Sequence, residues 1–563
     1  MNNASLELGG TNWAEKDGNI LGYSVGDTSG NFSPQEFTFA RGSNLSATRI
    51  DRAGLIVKGR ENLLLQSNQF DTTWASINVS ETGGQAGYDG TNDAWVLTDN
   101  TATNIHSLAQ YGIWPNSLCT GSIYVKAGSL SKFYVSNGTS GVGVFFNLSN
   151  GSVEGVTGAV IAQSITSVGG GWYRLSVTMQ SAGTFLIGAY QTFVSGNYNA
   201  STVYTGTGTG TIYIQDAQLE QGLAASPYIP TTTTSAQAGV LENTPRLNYT
   251  TGVANPYLLL EPSRTNLLGY SELFSNWAIT GSITISANQV VSPEGVINAS
   301  IIDFSSTGAG GGVYVFGGVP SSSVSRTIYL KGAVGGETLD FSDPSQGGGS
   351  NITLTTEWQR FEYTGGSAAL CGIWLKNSAG NIIYAYGAQI EEGSYPTSYI
   401  PTYSVSATRA SDNCYKTDAS DVIGQTEGTM FVEVDLNHTS AVNDYILQVS
   451  ESSANRILLY KDSTNKIGCF ALIGSTAIYT QLTSGAFTGI NKIAFAYKSG
   501  DFAFYVNGTQ IGTSTATFST SATFDRLDID SNILVENGFF NYNQAALYKE
   551  RLTNAELATL TTI

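Results

Sequence analysis

The sequence Arg60-Glu61-Asn62-Leu63-Leu64-Leu65-Gln66-Ser67-Asn68-Gln69-Phe70, with Trp74 beyond it, returns as Arg264-Thr265-Asn266-Leu267-Leu268-Gly269-Tyr270-Ser271-Glu272-Leu273-Phe274, with Trp277 beyond it. Three more landmarks recur in the same order: Ile123-Tyr124-Val125-Lys126 as Ile328-Tyr329-Leu330-Lys331, Trp172-Tyr173-Arg174 as Trp358-Gln359-Arg360, and Ala217-Gln218-Leu219-Glu220 as Ala388-Gln389-Ile390-Glu391. The offsets are 204, 205, 186 and 171 residues. A shared order with a shrinking offset predicts a duplicated domain whose second copy has shorter loops, because loops tolerate deletion better than core strands.

Composition indicates several globular domains. Of 563 residues, 41% are hydrophobic, which is enough for real cores. Only 12% are charged, whereas glycine is abundant at 65 residues. Tyrosine (30) and phenylalanine (24) far exceed methionine (3), a bias typical of β structure. The net charge of −18 argues against a nucleic-acid partner, because phosphates would be repelled.

The first residues and the cysteines indicate the compartment. Met1-Asn2-Asn3-Ala4-Ser5 lacks the basic and apolar regions of a signal peptide, and no stretch is apolar enough to span a bilayer. The four cysteines lie far apart without CxxC spacing, so neither a zinc site nor a disulfide framework is indicated; they are Cys119, Cys371, Cys414 and Cys469. We expect synthesis in a reducing cytoplasm, buried thiols and no membrane insertion.

Nearly every segment reads as a short strand bounded by Gly, Asn and Ser turns, and helical periodicity is almost absent. We therefore predict an all-β chain. The landmarks divide it into an N-terminal segment (1–55), a first repeat (56–235), a connector with the second repeat (236–411) and a third β domain (412–563).

The third domain contains two clear local signals. Phe502-Ala503-Phe504-Tyr505-Val506 alternates, and Asn507-Gly508 then predicts a type I′ turn that starts a hairpin. Thr553-Asn554-Ala555-Glu556 is a capping box, which predicts a short terminal helix at the edge of a sandwich.

Three sets of residues resemble known families. Asn62-Leu63-Leu64 with Phe70-Asp71 and Trp74, closed by Ile212-Tyr213-Ile214-Gln215-Asp216-Ala217-Gln218-Leu219-Glu220, resembles the first and last strands of jelly-roll carbohydrate-binding modules. Tyr505-Val506-Asn507-Gly508 with Leu552-Thr553-Asn554-Ala555-Glu556-Leu557 resembles the concanavalin A-like, laminin G-like sandwich. Phe37-Thr38-Phe39-Ala40-Arg41, Leu259-Leu260-Glu261-Pro262-Ser263-Arg264 and Ser398-Tyr399-Ile400-Pro401-Thr402 are similar to stretches of bacteriophage tail-fibre and head-fibre proteins.

The resemblance implies two tandem jelly-roll β-sandwiches followed by a concanavalin A-like (laminin G-like) β-sandwich. It also implies a virion structural protein, a fibre or fibre-like appendage of tail or head, which is made in the host cytoplasm. Its segment 1–55 would dock on other virion proteins, and its later domains would adhere to host surface glycans. The fibre resemblance also suggests a homotrimer.

Two other functional classes stay open. The first is an architectural collar or capsid-decoration protein without glycan binding. The second is a polysaccharide depolymerase. Glycoside hydrolysis needs two carboxylates around the scissile bond. Glu433-Val434-Asp435-Leu436-Asn437-His438 echoes the E-x-D-x-x-E strand of laminarinase-like sandwiches, but His438 replaces the last carboxylate. A Ser-His-Asp site is equally weak, because the only other histidine is His106. We therefore predict no catalysis.

A structural Ca²⁺ ion is a further candidate, because jelly-roll modules often join their first and last strands through one and Ca²⁺ takes hard oxygen ligands. The predicted ligands are Asn62, Asp71 and Asp216. Gly387 stands where Asp216 stands in the first copy, which argues against a second site. The alternative is that Asn62 and Asp216 hydrogen-bond local turns. Apart from this ion, we expect no cofactor.

Glycan binding uses exposed aromatic rings. Trp172 and Trp358 recur in both copies and are predicted core residues. Three tryptophans do not recur and are the candidates for glycan contact, with partly buried packing as the alternative: Trp95, Trp114 and Trp374. Arg60 and Arg264 recur at a strand entrance and are expected to pair with a carboxylate or to cap carbonyls at a domain junction.

Overall fold

The computed structural model confirms an all-β chain whose sheets pack as β-sandwiches. It describes residues 4–563 except for 11–12, 17, 26–31, 43–44, 139–140, 181, 251, 307–310, 317–322, 343–348, 365–371, 378–379, 437, 439–441, 520 and 530–537. Within the described residues, α-helix is confined to Tyr198–Thr202 and Asn554–Leu560. None of the described helices is long and apolar enough to cross a membrane.

The first repeat packs two six-stranded antiparallel sheets face to face. One has the strand order Val79–Gln85, Ala94–Asp99, Thr211–Gln221, Leu118–Ala127, Trp172–Gln180, Ala162–Gly169. The other has the order Ala75–Ile77, His106–Trp114, Gly183–Ala189, Lys132–Ser136, Gly143–Asn147, Ser152–Thr157. Smaller pairs join Thr48–Ile50 to Ile56–Lys58, Arg60–Asn62 to Ala236–Ala238 and Thr103–Asn104 to Tyr204–Thr205. Alternate side chains of both sheets fill one apolar core.

The second repeat has the same topology with five strands in each sheet. One sheet has the order Thr284–Val291, Ile297–Asp303, Ile382–Glu392, Val324–Gly332, Gln359–Thr364. The other has the order Ala278–Thr280, Gly311–Phe316, Gly372–Asn377, Thr338–Ser342, Gly349–Thr353. Arg264–Asn266 pairs with Ala407–Arg409, and Phe274–Asn276 forms a 3₁₀ turn. Because strand order agrees sheet by sheet, the predicted duplication is confirmed.

Asn62 and Asn266 occupy equivalent positions, as the sequence predicts. The Asn62 amide donates to the carbonyls of Ala217 (3.2 Å) and Ile229 (2.8 Å), and its oxygen accepts from two backbone amides at 3.1 and 3.2 Å. Asn266 makes the same four bonds in the second copy at the same four distances. Both side chains are fully buried. Each asparagine thus joins the first strand of its repeat to the last through backbone groups that would otherwise be unpaired.

The third sandwich also has two sheets. One has the order Thr509–Ser514, Phe502–Val506, Ile490–Lys498, Glu427–Asp435, Phe540–Tyr548. The other has the order Phe32–Ala40, Asn413–Lys416, Arg526–Ile529, Asp444–Ser452, Asn455–Lys461, Ile467–Ile473, Thr476–Leu482. Between them lies the largest apolar cluster of the described chain.

The N-terminal segment differs from the prediction, because it is part of the third sandwich. Leu6–Gly9 pairs with Phe540–Tyr548. Tyr257–Leu260 of the connector pairs with the same strand, Phe540–Tyr548, and also with Leu247–Asn248. The strand Asn19–Val25 pairs with Leu6–Gly9, Ala14–Lys16 and Phe32–Ala40, which belongs to the opposite sheet. The predicted boundaries at residues 55 and 236 therefore do not separate independent structural units.

The local signals of the third domain are confirmed, with one correction. Asn507 and Gly508 both have positive φ (50° and 76°), as a type I′ turn requires. Thr553 and Glu556 form the reciprocal capping box. The helix that follows covers the outer face of the sheet, where Leu557 is fully buried, and does not sit at a sheet edge.

Cys119 and Cys469 are buried free thiols, as expected; Cys414 is buried as well, and Cys371 lies outside the described residues.

Two buried ionic clusters join the domains. In the first, Arg41 lies 3.1 Å from Asp412, which also pairs with Arg246; Glu261 lies 2.5 Å from Arg246 and 3.0 Å from Arg409. All five side chains have no exposed surface. Although burial alone would raise it, the two arginines beside Glu261 hold its pKa at about 2. The N-terminal segment, the connector, the second repeat and the third sandwich therefore meet at one set of compensated charges.

The second cluster joins the two repeats. Arg60 lies 3.2 Å from Glu220 of its own repeat and 2.5 Å from Glu294 of the next. Lys58 pairs with Glu272 and Glu294, both of which are buried. The expected role of Arg60 at a domain junction is confirmed.

Candidate functional site: an aromatic face on the second repeat

One sheet of the second repeat carries aromatic rings on its outer side. Along Gly311–Phe316, Val313 points into the core, so Tyr314 and Phe316 point outward. On the neighbouring strand, Ile373 and Leu375 are in the core, and Trp374 lies directly opposite Tyr314. The residues Tyr314, Phe316, Trp374 and Lys376 are called the aromatic face below.

The rings of this face form a row. The ring centroids of Trp374 and Tyr314 are 6.1 Å apart, and those of Tyr314 and Phe316 are 5.6 Å apart. Phe316 is 49% exposed, and the other two rings are half-buried. Lys376 Nζ lies 5.7 Å from the Trp374 ring centre, within the range of a cation–π contact. The face therefore offers flat apolar rings beside a positive charge.

A glycine allows the indole to lie close to the sheet. A Cβ at Gly312 would lie 2.0 Å from Trp374 Nε1, so any larger residue there would displace the ring. Trp374 Nε1 is buried and has no hydrogen-bond partner among the described residues. This N–H therefore lies against the sheet, so Trp374 offers a ligand the surface of its ring and not a hydrogen-bond donor.

The same surface is covered in the first repeat. Ala109 and Leu186 stand where Tyr314 and Trp374 stand in the second copy, as the matching registers show. There, Tyr190, Phe193 and Tyr198 pack over them in one apolar cluster. These three residues belong to the connection 190–210, which corresponds to only 378–381 in the second repeat. The loss of loop length seen in the offsets therefore coincides with the uncovered face.

Of the three predicted glycan-contact tryptophans, the structure places only Trp374 at an accessible surface. Trp95 is 8% exposed and Trp114 is 1% exposed, and both lie in the core of the first repeat. Trp95 Nε1 donates to the Asn68 carbonyl at 2.9 Å, and Trp114 stacks on Phe185. Both predictions are wrong, because a ring enclosed by the core has no face to offer a sugar.

The recurrent tryptophans are only partly alike. Trp172 is buried, as predicted, but it packs with Tyr88 and Tyr124 on the outer side of its sheet. Trp358 is half-buried and donates to the Val291 carbonyl at 3.0 Å. The Arg264 guanidinium lies over the Tyr395 ring and donates to the carbonyl of the preceding residue, Ser263, at 3.1 Å. Arg264 thus caps a carbonyl, which is one of its two expected roles.

The predicted calcium ligands are not arranged as a metal site. Both amide atoms of Asn62 are already used by backbone groups, which leaves its oxygen unavailable. Asp71 is exposed and accepts from Gln69 at 2.7 Å, whereas Asp216 accepts from the Tyr88 hydroxyl at 3.0 Å. Across the described part of the chain, no group of three or more His, Cys, Asp and Glu side chains could hold a metal ion.

The backbone explains why aspartate at position 216 is matched by glycine at position 387. Both residues have positive φ (52° and 57°), and both lie at a bulge in the last strand of their repeat. Aspartate and glycine both tolerate this conformation, so the exchange reflects a shared bulge. Burial raises the pKa of Asp216 to about 6, with Asp93 and Asp89 adding to the shift.

The side chains of the acidic strand of the third sandwich contact neighbouring polar groups. Glu433 Oε2 lies 3.6 Å from Lys492 Nζ, and its other oxygen accepts from Asn543 at 3.1 Å. His438 is 4% exposed, and its Nε2 lies 3.1 Å from Asp444. The side chain that replaces the third carboxylate is thus held inside the structure. His106 is buried in the first repeat, in another domain.

The sequence analysis did not identify Tyr314, Phe316 and Lys376. The signal was present, because Val313-Tyr314-Val315-Phe316 alternates aliphatic and aromatic residues with a period of two. Such a pattern marks a strand with an aromatic outer side, but it does not show whether another segment covers that side.

Comparisons with known proteins give single-domain likenesses. No protein-family model matches the chain, and no curated protein matches it. Among solved structures, it is similar to the CBM40 of the Ruminococcus gnavus IT-sialidase bound to alpha2,3 sialyllactose, with 19% identity over 26% of this chain and 92% of that chain and a TM-score of 0.23. It is also similar to domain 4 of AbnA, a Geobacillus stearothermophilus arabinanase (15% identity, 27% and 73%, TM-score 0.23).

A third likeness is to the CBM2 module of the evolved Dit of Lactobacillus casei BL23 phage J-1, with 12% identity over 26% of this chain and 71% of that chain and a TM-score of 0.19. At such scores, these likenesses assign neither a family nor a ligand to this chain.

Proposed function

We propose that this protein is an adhesin that binds glycans through the aromatic face of its second repeat. The observation that supports the proposal is the row of Trp374, Tyr314 and Phe316, in which Phe316 is 49% exposed. Sugar rings present C–H groups that pack on flat aromatic rings, while their hydroxyls need polar partners. The Lys376 ammonium supplies hydrogen-bond donors at the edge of the row.

The wider proposal is a non-enzymatic structural protein of a bacteriophage virion, a fibre or fibre-like appendage. The sequence resemblance to tail-fibre and head-fibre proteins and the low charge content support it. Weak single sites suit such an appendage, because many copies on one particle multiply affinity. Other virion proteins, host surface glycans and further copies of the same chain are its proposed partners.

The decisive experiment removes the tryptophan ring. Trp374→Ala should lower glycan affinity at least tenfold on an array and in calorimetry, since loss of a stacked aromatic anchor costs more than about 1.4 kcal/mol. Tyr111→Ala is the matched control, because Tyr111 is an exposed aromatic residue (67%) on the first repeat. Unchanged glycan binding in Trp374→Ala, or no glycan bound by the natural protein, would overturn the adhesin proposal and favour an architectural role.

The enzymatic alternative has its own test. Incubation with host polysaccharide should release no reducing ends, and Glu433→Gln should leave glycan binding unchanged. Cleavage by the natural protein that disappears in Glu433→Gln would replace the adhesin proposal with a depolymerase.

A further inference from the structure

A cavity lies where the second repeat meets the third sandwich. Its volume is about 320 Å³, within the usual range for small-ligand sites. Tyr257 of the connector, Arg360 and Tyr395 of the second repeat and His438 and Asn541 of the third sandwich line it. It is called the junction cleft below. The cleft borders the sheet that contains Gln359–Thr364, whereas the aromatic face lies on the other sheet of the same sandwich.

Three side chains of the junction cleft each have one buried polar atom that no other described residue satisfies. They are His438 Nδ1, Asn541 Oδ1 and Arg360 Nε. An unpaired buried polar atom is destabilising, so each of the three can gain a hydrogen bond from a ligand that enters the cleft. His438 is more than nine-tenths buried, which makes water a poor substitute at that position.

The hydrogen-bonding character of each atom follows from its neighbours. His438 Nε2 lies 3.1 Å from Asp444 and 3.4 Å from the Phe539 amide; the shorter, charge-assisted contact places the proton on Nε2. Burial lowers the pKa of His438, so the ring is neutral near pH 7 and Nδ1 is an acceptor. Asn541 Oδ1 is a second acceptor, and Arg360 Nε is a donor.

The apolar part of the cleft is aromatic. Tyr395 and Phe539 stack with centroids 5.7 Å apart and an 18° angle between their planes, and His438 lies 4.9 Å from Tyr395. Charge is nearly balanced, because Arg360 lies 4.0 Å from Glu362. Rings beside two acceptors and one donor, with little net charge, match a ligand that has several hydroxyls and no ionised group.

The geometry points to the junction cleft as a second binding site, which takes a neutral mono- or disaccharide. Two ligand hydroxyls would donate to His438 Nδ1 and Asn541 Oδ1, and a third oxygen would accept from Arg360 Nε. The ligand would contact the second repeat and the third sandwich together, so binding would stabilise their junction by an amount that rises with the logarithm of ligand concentration above Kd.

The first test uses the two histidines as reporters in the full-length protein. A panel of glucose, galactose, mannose and N-acetylglucosamine, each at millimolar concentration, is added to protein with ¹⁵N-labelled histidine. At least one sugar should shift the His438 Nδ1 resonance, while His106, which is buried in the first repeat, stays unchanged. No shift at His438 with any sugar, or equal shifts at both histidines, would overturn the proposal.

The second test separates the two sites. Asn541→Leu keeps the side-chain volume and removes the acceptor, so the sugar that shifts His438 should bind at least tenfold more weakly. Trp374→Ala should leave that affinity unchanged while it weakens binding at the aromatic face. Equal sugar affinity in Asn541→Leu and the natural protein would refute the junction site. Should Asn541→Leu fail to fold, as judged by its unfolding temperature, Asn541→Ala also removes the acceptor and makes the same measurement.

Discussion

Removal of residues 1–40 should unfold the third sandwich and leave the first repeat folded. This segment contributes five side chains that are at most 2% exposed to the core of the third sandwich: Leu6, Leu8, Ile20, Phe37 and Phe39. At about 1.5–3 kcal/mol for each buried side chain, their loss amounts to roughly 7–15 kcal/mol. The whole stability of a domain is about 5–15 kcal/mol. The deletion therefore removes as much free energy as the sandwich has, and it bares one edge of Phe540–Tyr548.

Hydrogen exchange gives the readout. Protection should be lost in Glu427–Asp435 and kept in Thr211–Gln221 of the first repeat. Tryptophan fluorescence supplies an internal reference, because every tryptophan except Trp13 lies between residues 74 and 374. The fluorescence-detected unfolding transition should remain, while calorimetry loses the transition of the third sandwich.

Two point variants test how much stability a single side chain contributes. Leu6→Ala should cost about 2–5 kcal/mol, whereas Ile563→Ala, at a side chain that is 73% exposed, should change stability by less than about 0.5 kcal/mol. Full protection of Glu427–Asp435 in the deletion variant would refute the reasoning. It would show that the sandwich is complete without its first strands and would restore the N-terminal segment as a separate attachment element.

Two further predictions concern the two repeats. Asn62→Ala and Asn266→Ala should each lower the free energy of unfolding in urea by about 3–5 kcal/mol, because each removes four buried hydrogen bonds at about 1 kcal/mol each. Added Ca²⁺ or EDTA should change neither value. A stability that depends on calcium in the natural protein and not in Asn62→Ala would contradict this prediction. Asp216 has a folded-state pKa of about 6, above its unfolded value near 3.9, so the folded protein binds more protons and loses stability as pH rises from about 4 to 6. Asp216→Asn should lack this decline in urea unfolding measured at pH 4, 5, 6 and 7; a difference from the natural protein that is constant across that range would count against the assignment.

Local and recurrent features could be predicted from the sequence. The repeat order fixed the shared topology, because each landmark sits on a strand or at a bond that both copies retain, such as Asn62 and Asn266. The Asn507-Gly508 turn and the Thr553 cap are decided within a few residues. Such signals survive in any tertiary context, since their cause lies in the backbone of the segment itself.

Pairing over long sequence distance could not be predicted. Nothing in Leu6–Gly9 identifies Phe540–Tyr548 as its partner, because backbone amides and carbonyls are alike in every strand. The aromatic candidates failed for a related reason. Trp95 and Trp114 do not recur, but the cores of two copies can be filled by different side chains, so lack of recurrence does not indicate exposure. Exposure of Trp374 depends on which segments pack over its sheet, and the residues of its own strand do not show this.

The pairing of the first strand with a strand more than 500 residues later has a consequence for synthesis. At roughly 5–20 residues per second, the ribosome needs about half a minute to two minutes to reach the partner strand. During that time the two repeats can fold as they emerge, while Leu6 and Leu8 wait without a partner. The third sandwich can close only after translation has passed residue 540. A product that stops earlier exposes an apolar strand from its first residues onward, which marks it for chaperones and proteases.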